Sequence, residues 1–294
     1  MSKQLPYTIV DAFTTQVFLG NPAAVLVLEN PLSNEEMQFI AREFNLSDTA
    51  FISPTSEPTV FDMVWYTPGR EVSMCGHASV ASAYVLDLPH VTFKTRLGAG
   101  DVSARKAPDG TVSIEFPAGD PISLGEDMKT RVAETLRRAC KLDAVPKINF
   151  VGEPADPFKG YLLIHVDDEL DIASLQVDSG CLAAELPDHF LQIITNAPPA
   201  HLKEQGKQFV SRVFAGAAGV IEDPVCGSAH CILTPYWTKL LGQEGRELAA
   251  KQVSARSGDL WVEWNTTKSR VTIKGKAVTA ATGVLNVPTS LGGN

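Results

Sequence analysis

Two Cys-Gly pairs stand at matched places in this chain. One opens the run Cys75-Gly76-His77-Ala78-Ser79 and the other the run Cys226-Gly227-Ser228-Ala229-His230, and the two cysteines lie 151 residues apart in a chain of 294. Each pair follows a β-rich stretch and begins a run of small and apolar residues of helical length. The start of a helix offers unpaired backbone N–H groups and a partial positive charge. It therefore suits carboxylates and phosphates, and a glycine there lets a ligand approach the backbone. A cysteine at such a place has its thiolate stabilised and becomes a better base or nucleophile. Two such loops acting on one substrate would grip a carboxylate and hold groups able to move protons, which suits isomerisation at an acidic carbon without a cofactor. The alternative is that Cys75 and Cys226 are small packing residues. The residues alone leave both readings open.

Other residues could join this chemistry. Asp48, in Asn45-Leu46-Ser47-Asp48-Thr49-Ala50-Phe51, lies between a helix and a strand and is either a turn cap or a general base. Asp223 precedes Pro224 ahead of the second loop and is either a turn residue or a participant. His77 and His230 each fall in the first turn of a helix, and His77 adjoins the loop that carries Cys75. Cys226 and His230 have i, i+4 spacing, but two ligands do not make a metal site, and there is no Cys-x-x-Cys or His-x-x-x-His pair. No metal is expected. The five cysteines (Cys75, Cys140, Cys181, Cys226 and Cys231) are too few and too scattered for a disulfide framework.

The elements that must position these residues read as α+β. Strands are expected at 7–13, 23–29, 50–53, 61–66, 91–95, 100–106 and 112–116. Ser33 and Glu36 form a capping box that opens a helix running to Phe44. From Gly76 to Leu86 the chain is apolar or small on nearly every face, which predicts a buried helix rather than an amphipathic one. After residues 117–124 the pattern restarts, with a helix over 126–141, strands at 148–151, 161–166, 190–196 and 209–214, and a helix or turn at 172–175. A second apolar helix then runs from the Cys226 loop to Leu241, followed by strands at 260–264, 270–275 and 277–284. We therefore expect two pseudo-repeated domains, 1–122 and 123–294, with the last strand free to return to the first.

Composition narrows the function classes. With 44% hydrophobic residues the chain can build full cores. Its net charge of −9 and its scattered lysines and arginines argue against a nucleic-acid partner. No run is long and apolar enough to span a membrane, and the N-terminal segment reads as a strand rather than a signal peptide, so the expected compartment is the cytoplasm.

Several ordered motifs resemble the phenazine biosynthesis-like (PhzF-like) family, which has the diaminopimelate epimerase-like fold. They are Val10-Asp11-Ala12-Phe13 with Gly20-Asn21-Pro22-Ala23, then Asn45 to Thr49, then Thr67-Pro68 with Glu71 and Cys75-Gly76-His77-Ala78. The series continues through Glu222-Asp223-Pro224-Val225-Cys226-Gly227-Ser228-Ala229-His230 to Gln252-Val253-Ser254-Ala255-Arg256-Ser257-Gly258. The resemblance implies two domains, each a curved, barrel-like mixed sheet wrapped around a central helix, with the site in the interdomain cleft. It also implies a homodimer, no cofactor and a small carboxylate substrate. The family's acid/base carboxylate falls on Asp48, and its site residues fall on His77, Asp223 and Ser228. Gly76, Gly227 and Ser228 would donate to the substrate carboxylate, and Asn21 joins the binding set.

Two departures stand out. The acid/base position is usually glutamate, and Asp48 is one methylene shorter, where a displacement of about 1 Å can cost roughly 100-fold in rate. Cys226 replaces the usual threonine and recreates, with Cys75, the paired cysteines of diaminopimelate epimerases and proline racemases. Three readings follow: a PhzF-like isomerase using Asp48, a two-thiol epimerase or racemase using Cys75 and Cys226, and a metabolite-binding protein that has lost catalysis.

Overall fold

The structure, a computed structural model, describes residues 2–98 and 100–288. It divides into two compact units, one formed by residues up to Glu115 together with the segment from Lys274 onward, the other by Phe116–Ile273. Residues 116–122, assigned above to the first half, thus belong to the second. The chain from Lys274 returns to the first unit because the last strand, Ala277–Pro288, pairs antiparallel along β1 (Ser2–Ala12).

In the first unit β1 also pairs antiparallel with β2 (Asn21–Val27), and β2 runs parallel to β3 (Asp48–Pro54). The crossover between them is α1 (Asn34–Phe44), which begins at the Ser33–Glu36 capping box. Its Met37, Ile40 and Ala41 press on Leu26, Leu28, Phe51 and Tyr66. β4 (Val60–Tyr66) is antiparallel to β3 and to the short β5 (Glu71–Val72). Next comes α2 (Gly76–Leu86), which carries the chain over to β6 (His90–Thr95), parallel to β4. β7 (Val102–Lys106) and β8 (Val112–Pro117) complete the meander, and β8 shows the strict in–out burial of a sheet with one core face.

The second unit repeats this plan. β9 (Pro121–Ser123) and α3 (Gly125–Ala139) lead to β10 (Ile148–Pro154), which is antiparallel to β9 and to β11 (Tyr161–Val166). Through α4 (Ser179–Glu185), β11 connects to the parallel β12 (Leu191–Asn196). After α5 (Ala200–Glu204), β13 (Phe209–Ala215) is antiparallel to β12 and to the short β14 (Val220–Asp223). α6 (Gly227–Leu241) then crosses to β15 (Glu247–Gln252), parallel to β13, and β16 (Gly258–Asn265) and β17 (Arg270–Gly275) follow. The sequence β4–β5–α2–β6 of the first unit is thus matched by β13–β14–α6–β15 in the second. Residues 172–174 form a turn and not a helix, while α4, α5, β9 and β15 carry too little periodicity to be read from sequence.

Each unit is a curved mixed sheet folded around one helix. α2 touches β1, β2, β3, β7 and the last strand, so several strands of its sheet reach it. Its residues Gly76 to Ala83 are all buried. Only small side chains allow strands on several sides to approach a helix this closely, which is why glycine, alanine and serine dominate here. In α6 the interior Pro235 removes one helical N–H. The carbonyl of Cys231 that this frees accepts a hydrogen bond from Gly119 N–H at 3.0 Å. A Cβ on Gly119 would lie 2.7 Å from the Phe158 ring and 3.0 Å from Ile232, so the residue there must be glycine.

Replacing the fully buried Ala81 by Leu should overpack α2 against its sheet. We expect a loss of about 1–3 kcal/mol, seen as a lower urea midpoint with an unchanged m-value.

Candidate functional site

The first Cys-Gly loop starts α2. Cys75 is the N-cap residue, with extended φ −145° and ψ 110°, and its side chain makes no capping bond. The first turn of α2 carries no acidic residue, so its N–H groups meet no side-chain anion of their own helix. The Cys75 carbonyl accepts from Ser79 Oγ at 2.6 Å, which pins the N-cap. Cys75 Sγ lies 3.5 Å from His77 Nδ1. His77 Nε2 lies 3.3 Å from Ser47 Oγ and 3.8 Å from Asp48 Oδ2. Ser47 Oγ donates to Asn21 Oδ1 at 3.1 Å. With its one proton spent there, Ser47 accepts from His77 Nε2–H, and the lone pair on Nδ1 faces the thiol.

Local structure explains why these groups meet. Asp48 is the first residue of β3, which runs parallel to β2, and Ala23 of β2 is its register partner. Asn21 opens β2 after Gly20, whose φ of +66° and contact with the Ala12 carbonyl exclude any Cβ. Asp11 Oδ2 accepts from Phe18 N–H at 2.8 Å and holds the intervening loop. Glu71, on the approach to the loop, is held by Arg96 through bonds of 2.7 and 2.6 Å, one to each carboxylate oxygen.

The second loop has the same construction. Cys226 is the N-cap of α6 and again makes no side-chain cap bond. Its Sγ lies 3.3 Å from Ser228 Oγ, which also accepts from Tyr161 OH at 3.2 Å. The Cys226 carbonyl is 2.7 Å from His230 Nδ1. Glu222 is gripped by Arg212 through bonds of 2.7 and 2.8 Å, while Arg212 also donates to the carbonyls of Ile172 and Leu175. The fully buried Gln252 braces the loop from both sides. Its Oε1 accepts from Cys226 N–H at 2.9 Å and its Nε2 donates to the Asp223 carbonyl at 2.5 Å.

The two loops differ in one exchange. The side chain two residues after the cysteine faces the thiol, and the one four residues after it bonds the N-cap carbonyl. In the first loop these are His77 and Ser79; in the second they are Ser228 and His230. A hydrogen-bond acceptor therefore stands beside Cys75 and an alcohol beside Cys226.

Burial sets the charge states. His77 is held far below its ordinary 6.5, at about 3, by loss of solvent. Its approach to Asp48 is therefore a contact of a neutral ring with a carboxyl group, not an ion pair. Burial also lowers His230 to about 4, with the bond to the Cys226 carbonyl opposing. The Cys226 thiol is pushed well above its ordinary value by burial first and the Asp223 carboxylate second. Asp223 keeps some exposed surface but is enclosed by protein, and burial raises it to about 6, while hydrogen bonds from Cys226 and Val225 N–H pull it down. Both thiols are almost covered, at 5% exposure for Cys75 and 4% for Cys226.

The phenazine biosynthesis-like protein family matches residues 10–283 of the chain. The chain belongs to this family. An uncharacterized isomerase of Pseudomonas aeruginosa is 38% identical over 95% of this chain and 98% of that protein. A solved PhzF-family protein of Enterococcus faecalis superposes with a TM-score of 0.82 at 34% identity, over 96% of this chain and 99% of that one. A predicted epimerase of Pseudomonas aeruginosa shares the fold at TM-score 0.67 and 19% identity, over 97% of this chain and all of that one (100%).

Within the phenazine biosynthesis-like fold, the first unit brings Asn21, Asp48, Cys75, Gly76 and His77 together. The second gathers Asp223, Cys226, Gly227 and Ser228. Asn21 is fully buried and reaches the cluster through Ser47. Three participants went unread in the sequence. Ser47 lay inside a noticed motif, beside the more reactive-looking Asp48. Gln252 opened another motif, but a glutamine carries no signal of what it will bridge. Tyr161 had no signal beyond its strand.

Gln252→Leu should strand two buried backbone groups and cost about 2–5 kcal/mol in thermal or urea unfolding. His230 makes a second prediction. Its folded pKa is below its unfolded one, so below about pH 6.5 the unfolded state takes up protons that the folded state refuses, and stability falls with pH. Asp223 acts in the opposite sense between pH 6 and 3.8. Between pH 7 and pH 5, His230→Gln should lose on the order of 2 kcal/mol less than the parent protein. Equal losses from urea titrations at both pH values would refute the assignment.

Proposed function

We propose that the chain is a cofactor-independent isomerase that moves a proton on a small carboxylic acid, with Asp48 as the general acid/base. The observation that carries the reading is the arrangement at the start of α2. A carboxylate, a neutral imidazole and a thiol stand beside a helix terminus whose N-cap side chain makes no capping bond. The terminus and Gly76 would hold the substrate carboxylate, and the start of α6 with Gly227 and Ser228 offers a second grip of the same kind. Asp48 would take a proton from an acidic carbon and return it elsewhere on the same carbon framework. Neutral His77, donating through Nε2, fixes Ser47 and keeps a polar edge toward Asp48 without neutralising it. Asp223, poised near 6, is suited to exchange a proton near neutral pH. Membership in a family that includes a protein named as an isomerase agrees with this reading.

The two-thiol reading ranks second. It is supported by the matched cysteines and opposed by the electrostatics of Cys226, whose burial and neighbouring Asp223 both favour the protonated thiol. Cys226 could then donate a proton but not abstract one.

The test is solvent exchange. The protein is incubated in deuterated buffer with a panel of α-amino, α-hydroxy and β,γ-unsaturated carboxylic acids, and label is read by mass spectrometry. At least one class should gain deuterium. Asp48→Asn should slow this by about 10²–10⁴-fold, and Cys226→Thr should stay within about tenfold of the parent. Unchanged exchange in Asp48→Asn sinks the assignment, and loss on Cys226→Thr hands the reaction to the thiol pair.

A further inference from the structure

We propose that Asp48, Cys75 and His77 also form a binding site for one zinc-class divalent ion, and that filling it silences the proton transfer assigned to Asp48. The second half of this statement rests on the function proposed above; the first half does not.

The three side chains present one donor atom each, and these atoms all lie within 4.8 Å of one another. His77 Nε2 is 3.8 Å from Asp48 Oδ2 and 4.0 Å from Cys75 Sγ. A tetrahedral ion with bonds of about 2.0–2.3 Å to nitrogen, oxygen and sulfur needs donors about 3.3–3.6 Å apart. The cluster must close by up to about 1.5 Å, which side-chain rotation can supply. Cys75 and His77 are fixed by the buried first turn of α2, so Asp48, the most exposed of the three, would make most of the move.

The donor set selects the ion. One thiolate, one imidazole and one carboxylate suit zinc and its neighbours; magnesium and calcium prefer oxygen alone. The two anionic donors balance a double positive charge and outweigh the opposing field of the α2 terminus. Three protein donors leave a fourth position for water. Binding forms a metal–sulfur bond as the Cys75 S–H bond breaks, and that proton leaves to solvent. The ring proton of His77 moves to Nδ1 so that Nε2 can ligate. No electrons are exchanged. Asp48 then spends on the metal the lone pair that a general base needs. The second loop offers no equivalent, because the His230 nitrogen nearest Cys226 is engaged by the Cys226 carbonyl and Ser228 is a poor ligand.

The experiment is a Co²⁺ titration of the full chain followed by absorption spectroscopy, with circular dichroism as a check on folding. A saturable one-to-one spectrum is expected, with a thiolate-to-cobalt charge-transfer band and intense tetrahedral visible bands that Zn²⁺ displaces. Cys75→Ser should abolish the charge-transfer band. Asp48→Asn and His77→Gln should each weaken Co²⁺ binding at least about tenfold, and Cys226→Ser should leave the spectrum intact. No band, or a band that survives Cys75→Ser, overturns the site. Zn²⁺ should also reduce deuterium exchange in proportion to occupancy. If the band appears and exchange continues at full occupancy, the site stands and the silencing is rejected.

Discussion

The constraint on which this protein depends is the burial of a helix that begins at a thiol. α2 and α6 are each wrapped by a curved sheet, and each starts at a cysteine whose backbone, but not its side chain, does the capping. To put a helix terminus inside a protein, the unpaired groups there need partners. In both units a polar side chain four residues along adds a second bond to the N-cap carbonyl, which already accepts the first helical N–H. Gln252 extends this logic in the second unit, where one buried amide satisfies a donor and an acceptor of the loop together.

From that shared frame the two units diverge by exchanging histidine and serine. The exchange leaves packing and N-cap bonding intact, since either side chain can bond a carbonyl. It changes what faces the sulfur. Beside Cys75 there is an imidazole whose Nδ1 faces the thiol and, beyond it, Asp48. Beside Cys226 there are hydroxyl groups and an aspartate; burial first and Asp223 second hold the thiol protonated, while the Ser228 hydrogen bond opposes them. The duplicated frame thus sets a neutral imidazole beside one thiol and a hydroxyl beside the other. Each loop is also steadied by an arginine laid two-pronged on a glutamate, Arg96 on Glu71 and Arg212 on Glu222.

Much of this was legible in the residues. The two Cys-Gly runs, the apolar character of α2 on every face, and the Ser33–Glu36 capping box each report on local geometry, which short stretches of sequence encode directly. The family motifs extended that reading to Asp48, Asp223 and Ser228. Elements such as β9, α5 and α4 were not legible, because they are too short to show a period. The division between units was misplaced by several residues because strand β8 runs through it with unbroken alternation.

By itself the sequence determined the family, the two-unit plan and the residue types available for chemistry, since these follow from pattern and composition. Tertiary structure alone decided which of them meet. Asn21, Ser47, Asp48, Cys75 and His77 come from three separate stretches of the chain, and they touch because β2 and β3 pair in parallel beside the start of α2. Burial there, which no residue type announces, lowers His77 to a neutral ring. The same burial in the other unit raises Asp223 and Cys226. Charge state is a property of surroundings, and the surroundings exist only once the chain has folded.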